Sequence, residues 1–402
     1  MSITILRANA LALPLADSSV DLVVTSPPYF GLRSYQDGGE HYDGQIGAEA
    51  TPAEFIDALI AATREMARVL KPSGSIWVNL GDKYATAGTR RGNEEGLVDS
   101  DTRTATHYMP RPAGYPNKSL MGIPWRYAIR CIDELGLILR AEVIWSKPNG
   151  LPESVTDRVR RSHEQWFHFT KQPRYYSAVD EIREAHEVAY RGRHKRDDER
   201  DPTGNGQQNM PPPHPLGKLP GSVWTIPTEP LQVPDHLGID HFAAFPTEWP
   251  RRIITGWSPR DVCTACGEGR RPVANVEQTA RRPIGLAQMH AAMDARADKG
   301  TKSNIGHVIS SRTITGYACA CPDTSAPATP GVVLDPFGGT GTTALVADVL
   351  GRDGITVDLS ADYCRLAQWR TTDPKQRAKA ARVGPADAPS PDQPDLFEES
   401  AS

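Results

Sequence analysis

The sequence lacks any apolar run that approaches the roughly 20 residues of a membrane-spanning helix. Its first residues, 1–7, also lack the basic start and long apolar stretch of a secretory signal. We therefore expect a cytoplasmic protein with no membrane partner.

A strong charge of either sign is also absent, because 45 Lys and Arg face 49 Asp and Glu, for a formal net charge of -4. The global field would not attract phosphates, so any nucleic-acid surface must be a local basic cleft. With 402 residues, 39% of them hydrophobic, the composition excludes a disordered protein and predicts one large core with one or two insertions.

Cysteines are few, and without a signal peptide the six are expected as reduced thiols or metal ligands. Four form two close pairs, Cys263 with Cys266 and Cys319 with Cys321, which predicts a tetrahedral zinc site. The 52 residues from 267 to 318 exceed the usual gap of a zinc ribbon, so unligated thiols are the alternative. Four thiolates leave no open position for water, and the predicted site is therefore structural.

Short apolar runs alternate with segments of helical spacing: 21–24 reads as a strand, 52–70 as a helix and 75–80 as a strand. Residues 71–74, Lys-Pro-Ser-Gly, are expected to stop the helix and turn. Further along, the pattern predicts a helix at 123–135, strands at 137–145 and 165–170, and strand, helix, strand, helix over 332–370. Such alternation predicts an α/β fold with a parallel sheet.

The strand at 21–24 runs directly into Thr25-Ser26-Pro27-Pro28-Tyr29, where open α/β sheets place ligands. The Ser26 hydroxyl and the Pro27 carbonyl could accept the two hydrogens of an aromatic amino group and so favour a pyramidal, nucleophilic nitrogen. Prolines fix these acceptors in advance, and Tyr29 offers a face on which an extruded base can stack. A turn that merely ends a strand is the alternative.

A second motif, residues 332–343, leads from an apolar strand through Gly338, Gly339 and Gly341 into a helix. It lacks the Gly-Lys-Ser/Thr ending of a phosphate-binding loop, and its dinucleotide pattern is incomplete. A nucleoside without phosphates fits better, with Asp358 at the next strand end placed to hold ribose hydroxyls. A glycine turn that only packs helix on strand is the alternative.

Together these residues resemble the DNA amino-methyltransferases in which the catalytic motif precedes the cofactor motif. The similarity covers most of 1–258 and 330–370, including the runs 123–125, 144–149, 152–158 and 162–164. The resemblance implies a Rossmann-like S-adenosylmethionine-dependent methyltransferase core in three layers, with a mostly parallel sheet. It implies double-stranded DNA as substrate, with the target base flipped out, and a possible cognate restriction endonuclease. It does not indicate an oligomeric state.

The resemblance also assigns site residues. Ser26, Pro27, Pro28 and Tyr29 match the catalytic motif, and the pocket for S-adenosylmethionine matches Phe245, Asp335, Phe337, Gly338, Gly339, Thr340, Gly341 and Asp358. The methyl transfer itself needs no metal, because the sulfonium carries its own leaving group. A serine before Pro-Pro-Tyr resembles the cytosine-N4 enzymes more than the adenine-N6 enzymes. An adenine-N6 enzyme, an enzyme acting on RNA, and a DNA-binding protein without activity are the alternatives.

The implied organisation places the DNA contacts between the two halves of the core. Arg191, Arg193, Lys195 and Arg196 cluster there and are expected to bind phosphates, although the acids at 197–199 also fit a solvated loop. His163 and Glu164 fit an acid/base pair, but a pair that orders a loop is the commoner case. The expected segments are a catalytic half at 1–180, a recognition insertion at 181–222, a cofactor half at 223–258 and 330–372, a zinc-ribbon-like insertion at 259–329 and a disordered tail at 373–402.

Overall fold

The computed structural model describes residues 2–31, 36–37, 40–41, 44–85, 114–150, 152–184, 214, 216–239, 245–279, 309–322 and 325–382. Of residues 36–37, 40–41, 276–279 and 309–312 it describes the backbone alone. No helix in these ranges has the length and apolar character that a membrane span requires.

The described helices are α1 (Pro52–Val69), α2 (Ile123–Leu135), α3 (Glu248–Trp257), α4 (Thr342–Val349), α5 (Ala361–Thr372) and α6 (Pro374–Ala381). The strands are β1 (Ile3–Arg7), β2 (Val20–Thr25), β3 (Gln36–Asp37), β4 (Glu40–His41), β5 (Leu70–Leu80), β6 (Tyr84–Ala85), β7 (Ser119–Leu120), β8 (Ile138–Ser146), β9 (His163–Thr170), β10 (Val223–Thr225), β11 (Asp261–Cys263), β12 (Arg271–Thr279), β13 (Ile309–Ala318), β14 (Ala328–Pro330), β15 (Val332–Asp335) and β16 (Asp353–Asp358). Two short 3-10 turns, Val179–Ile182 and Asp235–Leu237, complete the described elements.

Eight strands form one sheet in the order β1-β16-β15-β2-β5-β9-β8-β10. From β1 to β5 every pairing is parallel, whereas β9 runs antiparallel to both β5 and β8. Strand β15, late in the chain, lies beside β2, near its start, with Leu334 paired to Val23. The carboxyl ends of β2, β15 and β16 therefore meet at one edge of the sheet, where parallel sheets place ligands.

Helices cover both faces of the sheet, which confirms the expected α/β layering. On one face Val23, Ile76 and Phe167 pack with residues of α1 and α2. On the other face Leu22 and Trp77 belong to a cluster that residues of α3 and α4 complete. Neighbouring residues of one strand thus enter opposite cores, since successive side chains of a strand point to opposite faces.

Helix α1 begins as its sequence dictates. Thr51 accepts a hydrogen bond from the Glu54 amide while the Glu54 carboxylate accepts one from the Thr51 amide, with Pro52 in the first turn. The helix stops at Val69, close to the expected end, but the turn expected at 71–74 was wrong. Those residues continue as part of β5, where the register with β2 shifts between the Val20 and Leu22 pairings. The extra residues are accommodated by the register shift, as in a bulge.

The expectation of a disordered tail from residue 373 was also wrong at its start. Asp373 accepts a hydrogen bond from the Gln376 amide and caps α6, which buries Ala380. Lys379 pairs with Glu229 at 2.7 Å, so the helix is fastened to the core by charge as well as burial. The remainder of that segment, 383–402, lies outside the described residues.

The two insertions are described in part. The ends of the expected recognition insertion meet through an antiparallel bridge between Glu184 and Lys218. The second insertion contributes two small ladders, β11 with β14 and β12 with β13. Both insertions thus leave the core through ends that are held close together.

Candidate active site and cysteine cluster

Ser26 lies immediately after β2, half-buried, and its hydroxyl donates a hydrogen bond to Asn79 Oδ1 at 3.2 Å. Asn79 is buried near the end of β5, and its Nδ2 donates to the Gln165 carbonyl at 3.1 Å. The orientation of the amide is therefore fixed by β9. Because the Ser26 hydroxyl donates its single hydrogen to Asn79, its oxygen lone pairs remain available to accept hydrogen bonds from a substrate.

Tyr29 is held by groups from the end of β5 and from β9. Its hydroxyl lies 2.7 Å from Asn79 Oδ1 and 2.7 Å from Glu164 Oε2. The Glu164 carboxylate forms an ion pair with Lys147, which follows β8. A Cβ at Gly81 would lie 2.6 Å from the Tyr29 ring, so only glycine permits this position of the ring. The ring is thus fixed at its hydroxyl and along one side.

The prolines between these residues are held by a neighbouring loop. Pro27 is buried, and Pro28 lies against Gly47, whose missing Cβ would sit 3.3 Å from the proline Cβ. The Gly31 amide donates to the Gly47 carbonyl at 2.8 Å. The catalytic segment expected at 25–29 therefore forms one rigid turn at the carboxyl end of β2.

The glycine loop follows β15, the neighbour of β2. A Cβ at Gly338 would lie 1.6 Å from Thr356 Oγ1, and the Gly338 amide donates to the Val357 carbonyl at 2.8 Å. The Gly339 amide donates to Asp358 Oδ2 at 2.9 Å. Gly341, with φ of +73°, turns the chain into α4. The loop is thus pressed onto β16, which leaves its outer side for a ligand.

Asp335 joins the catalytic segment to the glycine loop. It is 1% exposed, and its carboxylate accepts hydrogen bonds from Thr25 Oγ1 at 2.6 Å, Thr343 Oγ1 at 2.8 Å and the Phe337 amide at 3.1 Å. Burial outweighs these hydrogen bonds and raises the pKa of Asp335 from 3.8 to about 6. These contacts show that the Asp335 carboxylate holds the glycine loop in place, whether or not it also contacts a cofactor.

The remaining residues predicted to line the cofactor pocket are fixed by aromatic and cationic side chains. Phe245 meets Trp166 edge-on, with ring centroids 5.9 Å apart, and Phe337 packs against the core. Thr340 and Thr342 both accept hydrogen bonds from the buried guanidinium of Arg370. Burial lowers the pKa of Arg370 to about 10, so it remains protonated near neutral pH.

The structure therefore brings together Ser26 to Tyr29, Asp335 to Gly341 and Asp358 at one sheet edge. Arg191, Arg193, Lys195 and Arg196 lie outside the described residues, as do the four residues before Phe245, 241–244. Sequence reasoning missed Asn79, Lys147 and Arg370. Asn79 carried a signal, a polar residue inside an apolar strand, whereas Lys147 and Arg370 gave none that separates them from surface cations.

The two cysteine pairs also converge. The sulfurs of Cys263, Cys266, Cys319 and Cys321 all lie within 4.8 Å of one another. Cys263 ends β11 and is buried, Cys266 is exposed in the following turn, and the other two follow β13. Thiolates in this arrangement are the ligand set that zinc prefers.

The fold and the site together define an α/β protein with a Ser-Pro-Pro-Tyr turn beside a glycine loop, and a known protein shares the fold. The PvuII DNA methyltransferase, whose solved structure is described as cytosine-N4-specific, superposes with a TM-score of 0.51 at 17% identity, over 95% of this chain and 91% of that one. At that identity the match shows a common fold.

The family follows from the sequence comparisons. The model of the DNA methylase family, N6_N4_Mtase, matches residues 20–263 and 324–369, and the chain belongs to this family. The type II methyltransferase M.SmaI of Serratia marcescens is 30% identical over 356 residues, which are 88% of this chain and 85% of that protein. M.Cfr9I of Citrobacter freundii, also a type II methyltransferase, is 36% identical over 253 residues, 62% of this chain and 71% of that protein. The resemblance expected from the motifs is confirmed.

Proposed function

We propose that the protein transfers a methyl group from S-adenosylmethionine to the exocyclic N4 amino group of cytosine in double-stranded DNA, at sites of defined sequence. The observation that carries this proposal is the 2.6 Å hydrogen bond from Thr25 to Asp335. It ties the residue before Ser26 to the start of the glycine loop. A methyl donor in that loop and an amino group at Ser26 would therefore meet at one place.

The residues after β15 fit S-adenosylmethionine. The close approach of Gly338 to Thr356 keeps the loop against β16, and the loop holds no lysine for phosphates. Asp358 orients the loop through the Gly339 amide and would hold the ribose hydroxyls. When bound, the cofactor supplies an electrophilic methyl group with a neutral thioether as leaving group.

The residues after β2 fit the amino group that receives the methyl. Ser26 Oγ and the Pro27 carbonyl would accept its two hydrogens, which localises the nitrogen lone pair toward the cofactor. The ring of Tyr29, fixed by Asn79 and Glu164, offers a face for a flipped base. Neither Ser26 nor Asn79 is basic near neutral pH, so the proton released after transfer goes to water or to another group.

The choice of cytosine N4 rests on Ser26, because a serine before Pro-Pro-Tyr resembles the cytosine-N4 enzymes. The relatives named type II methyltransferases support action on a defined DNA sequence and a partner restriction endonuclease. The basic residues Arg191, Arg193, Lys195 and Arg196 are proposed as phosphate contacts of the DNA, on their sequence position alone.

Transfer of a labelled methyl group from S-adenosylmethionine to unmethylated duplex DNA tests the proposal. We expect incorporation by the purified protein and a loss of at least 100-fold in Ser26→Ala, since one amino-group acceptor is removed. Ser2→Ala is the matched control, because Ser2 lies before β1 at the opposite edge and bonds Asp353. Labelling of RNA but not DNA, or no labelling by folded wild-type protein across varied DNA sequences, would contradict the proposal.

A further inference from the structure

The cysteine cluster lies outside the site just described. We propose that Cys263, Cys266, Cys319 and Cys321 bind one zinc ion, and that this ion fastens the base of the β12–β13 hairpin to the amino-terminal edge of the sheet. The proposal concerns a structural metal and does not depend on the reaction that the protein catalyses.

The spacing of the four sulfurs fits a tetrahedral ion. A Zn–S bond of about 2.3 Å places the sulfurs of a four-thiolate site about 3.8 Å apart. The sulfurs here lie within 4.8 Å of one another, so an ion would draw the outermost pair inward by about 1 Å. Small rotations about the Cα–Cβ bonds of the exposed Cys266 and the half-buried Cys319 and Cys321 cover that distance.

The turn after Cys263 gives a second, independent observation. The Gly267 amide donates to the Cys263 carbonyl at 2.8 Å, and the Cys263 amide donates to the Glu268 carbonyl at 3.0 Å. Gly267 has φ of +72°, a conformation that favours glycine. This tight turn holds the sulfurs of Cys263 and Cys266 on the same side.

The position of the cluster defines its role. Strand β11, which ends at Cys263, pairs with β14, and β14 continues through Gly331 into β15. A Cβ on Gly331 would lie 2.2 Å from the Pro259 carbonyl oxygen, so the cluster's ladder is packed tightly where β15 begins. The proposed transfer site lies at the carboxyl end of β15, four residues after Gly331, which at about 3.3 Å per residue is about 13 Å along the strand.

The hairpin begins beside the cluster. Its base is the pairing of Arg271 with Ala318, one residue before Cys319. Arg270 donates to the Ala326 carbonyl at 2.6 Å, the Thr264 hydroxyl donates to the Pro327 carbonyl at 2.9 Å, and Tyr176 donates to the Arg270 carbonyl at 3.1 Å. A metal ion would join the two sides, with two metal–sulfur bonds to the β11 turn and two to the end of the hairpin.

Metal content of the full-length protein, purified under reducing conditions and reconstituted with zinc, tests the site. We expect about one zinc per chain, and at least a tenfold lower occupancy in Cys266→Ser and in Cys321→Ser. Cys364→Ser is the matched control and should keep its zinc, because the Cys364 sulfur contacts the carbonyls of Leu6 and Asp358 instead. Cobalt in place of zinc should give the absorption of a tetrahedral four-thiolate site.

Zinc-free wild-type protein after reconstitution, full occupancy in both serine variants, or disulfide bonds among the four cysteines in reduced protein would each overturn the site. Hydrogen exchange on the metal-bound and chelated protein tests the role. We expect faster exchange at 261–263, 271–279 and 328–330 after chelation, and unchanged exchange in β2. Unchanged exchange in the three segments, or equally faster exchange in β2, would overturn the fastening role.

Discussion

The buried carboxyl group of Asp335 should make the stability of the protein depend on pH. Its pKa is raised from 3.8 to about 6, with burial as the largest cause. Between these two pH values the folded protein holds a proton that the unfolded chain has lost. Stability contributed by this group is therefore fully present below pH 3.8 and is lost as the pH rises through 6.

Asp335→Asn removes the titration while keeping the shape of the side chain. The asparagine can still accept from Thr25 and can donate to Thr343, whose hydroxyl then accepts. The difference in unfolding free energy between wild type and variant should therefore change with pH. We expect wild type to lose about 2 kcal/mol relative to the variant between pH 4 and pH 7, at 1.36 kcal/mol per pKa unit.

Urea unfolding at a series of pH values, followed by the fluorescence of buried tryptophans such as Trp77 and Trp166, measures this difference. Asp157→Asn is a control of opposite sign, because Lys118 lowers the pKa of that exposed carboxyl. A difference between wild type and Asp335→Asn that does not vary from pH 4 to 7, or that grows in favour of wild type, would refute the assigned burial of charge.

Three further predictions concern the proposed site. Glu164→Gln keeps the size of the side chain but loses the Lys147 ion pair, so it should lower kcat for methyl transfer about tenfold and leave S-adenosylmethionine affinity within twofold. Steady-state kinetics and cofactor titration check this, and a parallel loss of cofactor affinity would contradict a role of Glu164 in holding the target base. Gly338→Ala should abolish cofactor binding measured by calorimetry, since its Cβ would lie 1.6 Å from Thr356 Oγ1. Gly339 has φ of +49° and open space around it, so Gly339→Ala should weaken cofactor binding by only about 1–2 kcal/mol. Similar losses of binding in the two variants would show that the contact with Thr356 does not matter. Replacing Arg191, Arg193, Lys195 and Arg196 together by Ala should weaken DNA binding at least tenfold and flatten its salt dependence without altering cofactor binding; unchanged DNA affinity in a mobility-shift titration would contradict their assignment.

The layered fold was predictable because its signals are local. Residues 123–135 were expected as a helix, and α2 has those bounds, between Gly122 and Gly136, both of which adopt positive φ. Strand β2 and the loop after β15 were also predictable, because their apolar runs end in prolines and in glycines, respectively, which favour turns. Such patterns depend on neighbours in the chain and can be read without the fold.

The support around the site was not predictable, because it comes from pairing across the sheet. Strand β9 lies antiparallel between β5 and β8, and this arrangement brings Glu164 to Tyr29, far away in sequence. A sequence pattern does not state which strands are neighbours. Helix α6 was missed for a related reason, since it lacks an apolar period and is held by Ala380 and by ion pairs with the core.

We propose above that Ser26 and the glycine loop form one site for methylating cytosine N4. Mass spectrometry of nucleosides, from duplex DNA treated with the purified protein and S-adenosylmethionine and then digested, tests it most directly. We expect N4-methylcytosine in DNA treated with the wild-type protein and at least 100-fold less of it in DNA treated with Ser26→Ala. N6-methyladenine without N4-methylcytosine would contradict the assignment of the base, and methylation that persists in Ser26→Ala would contradict the assignment of the site.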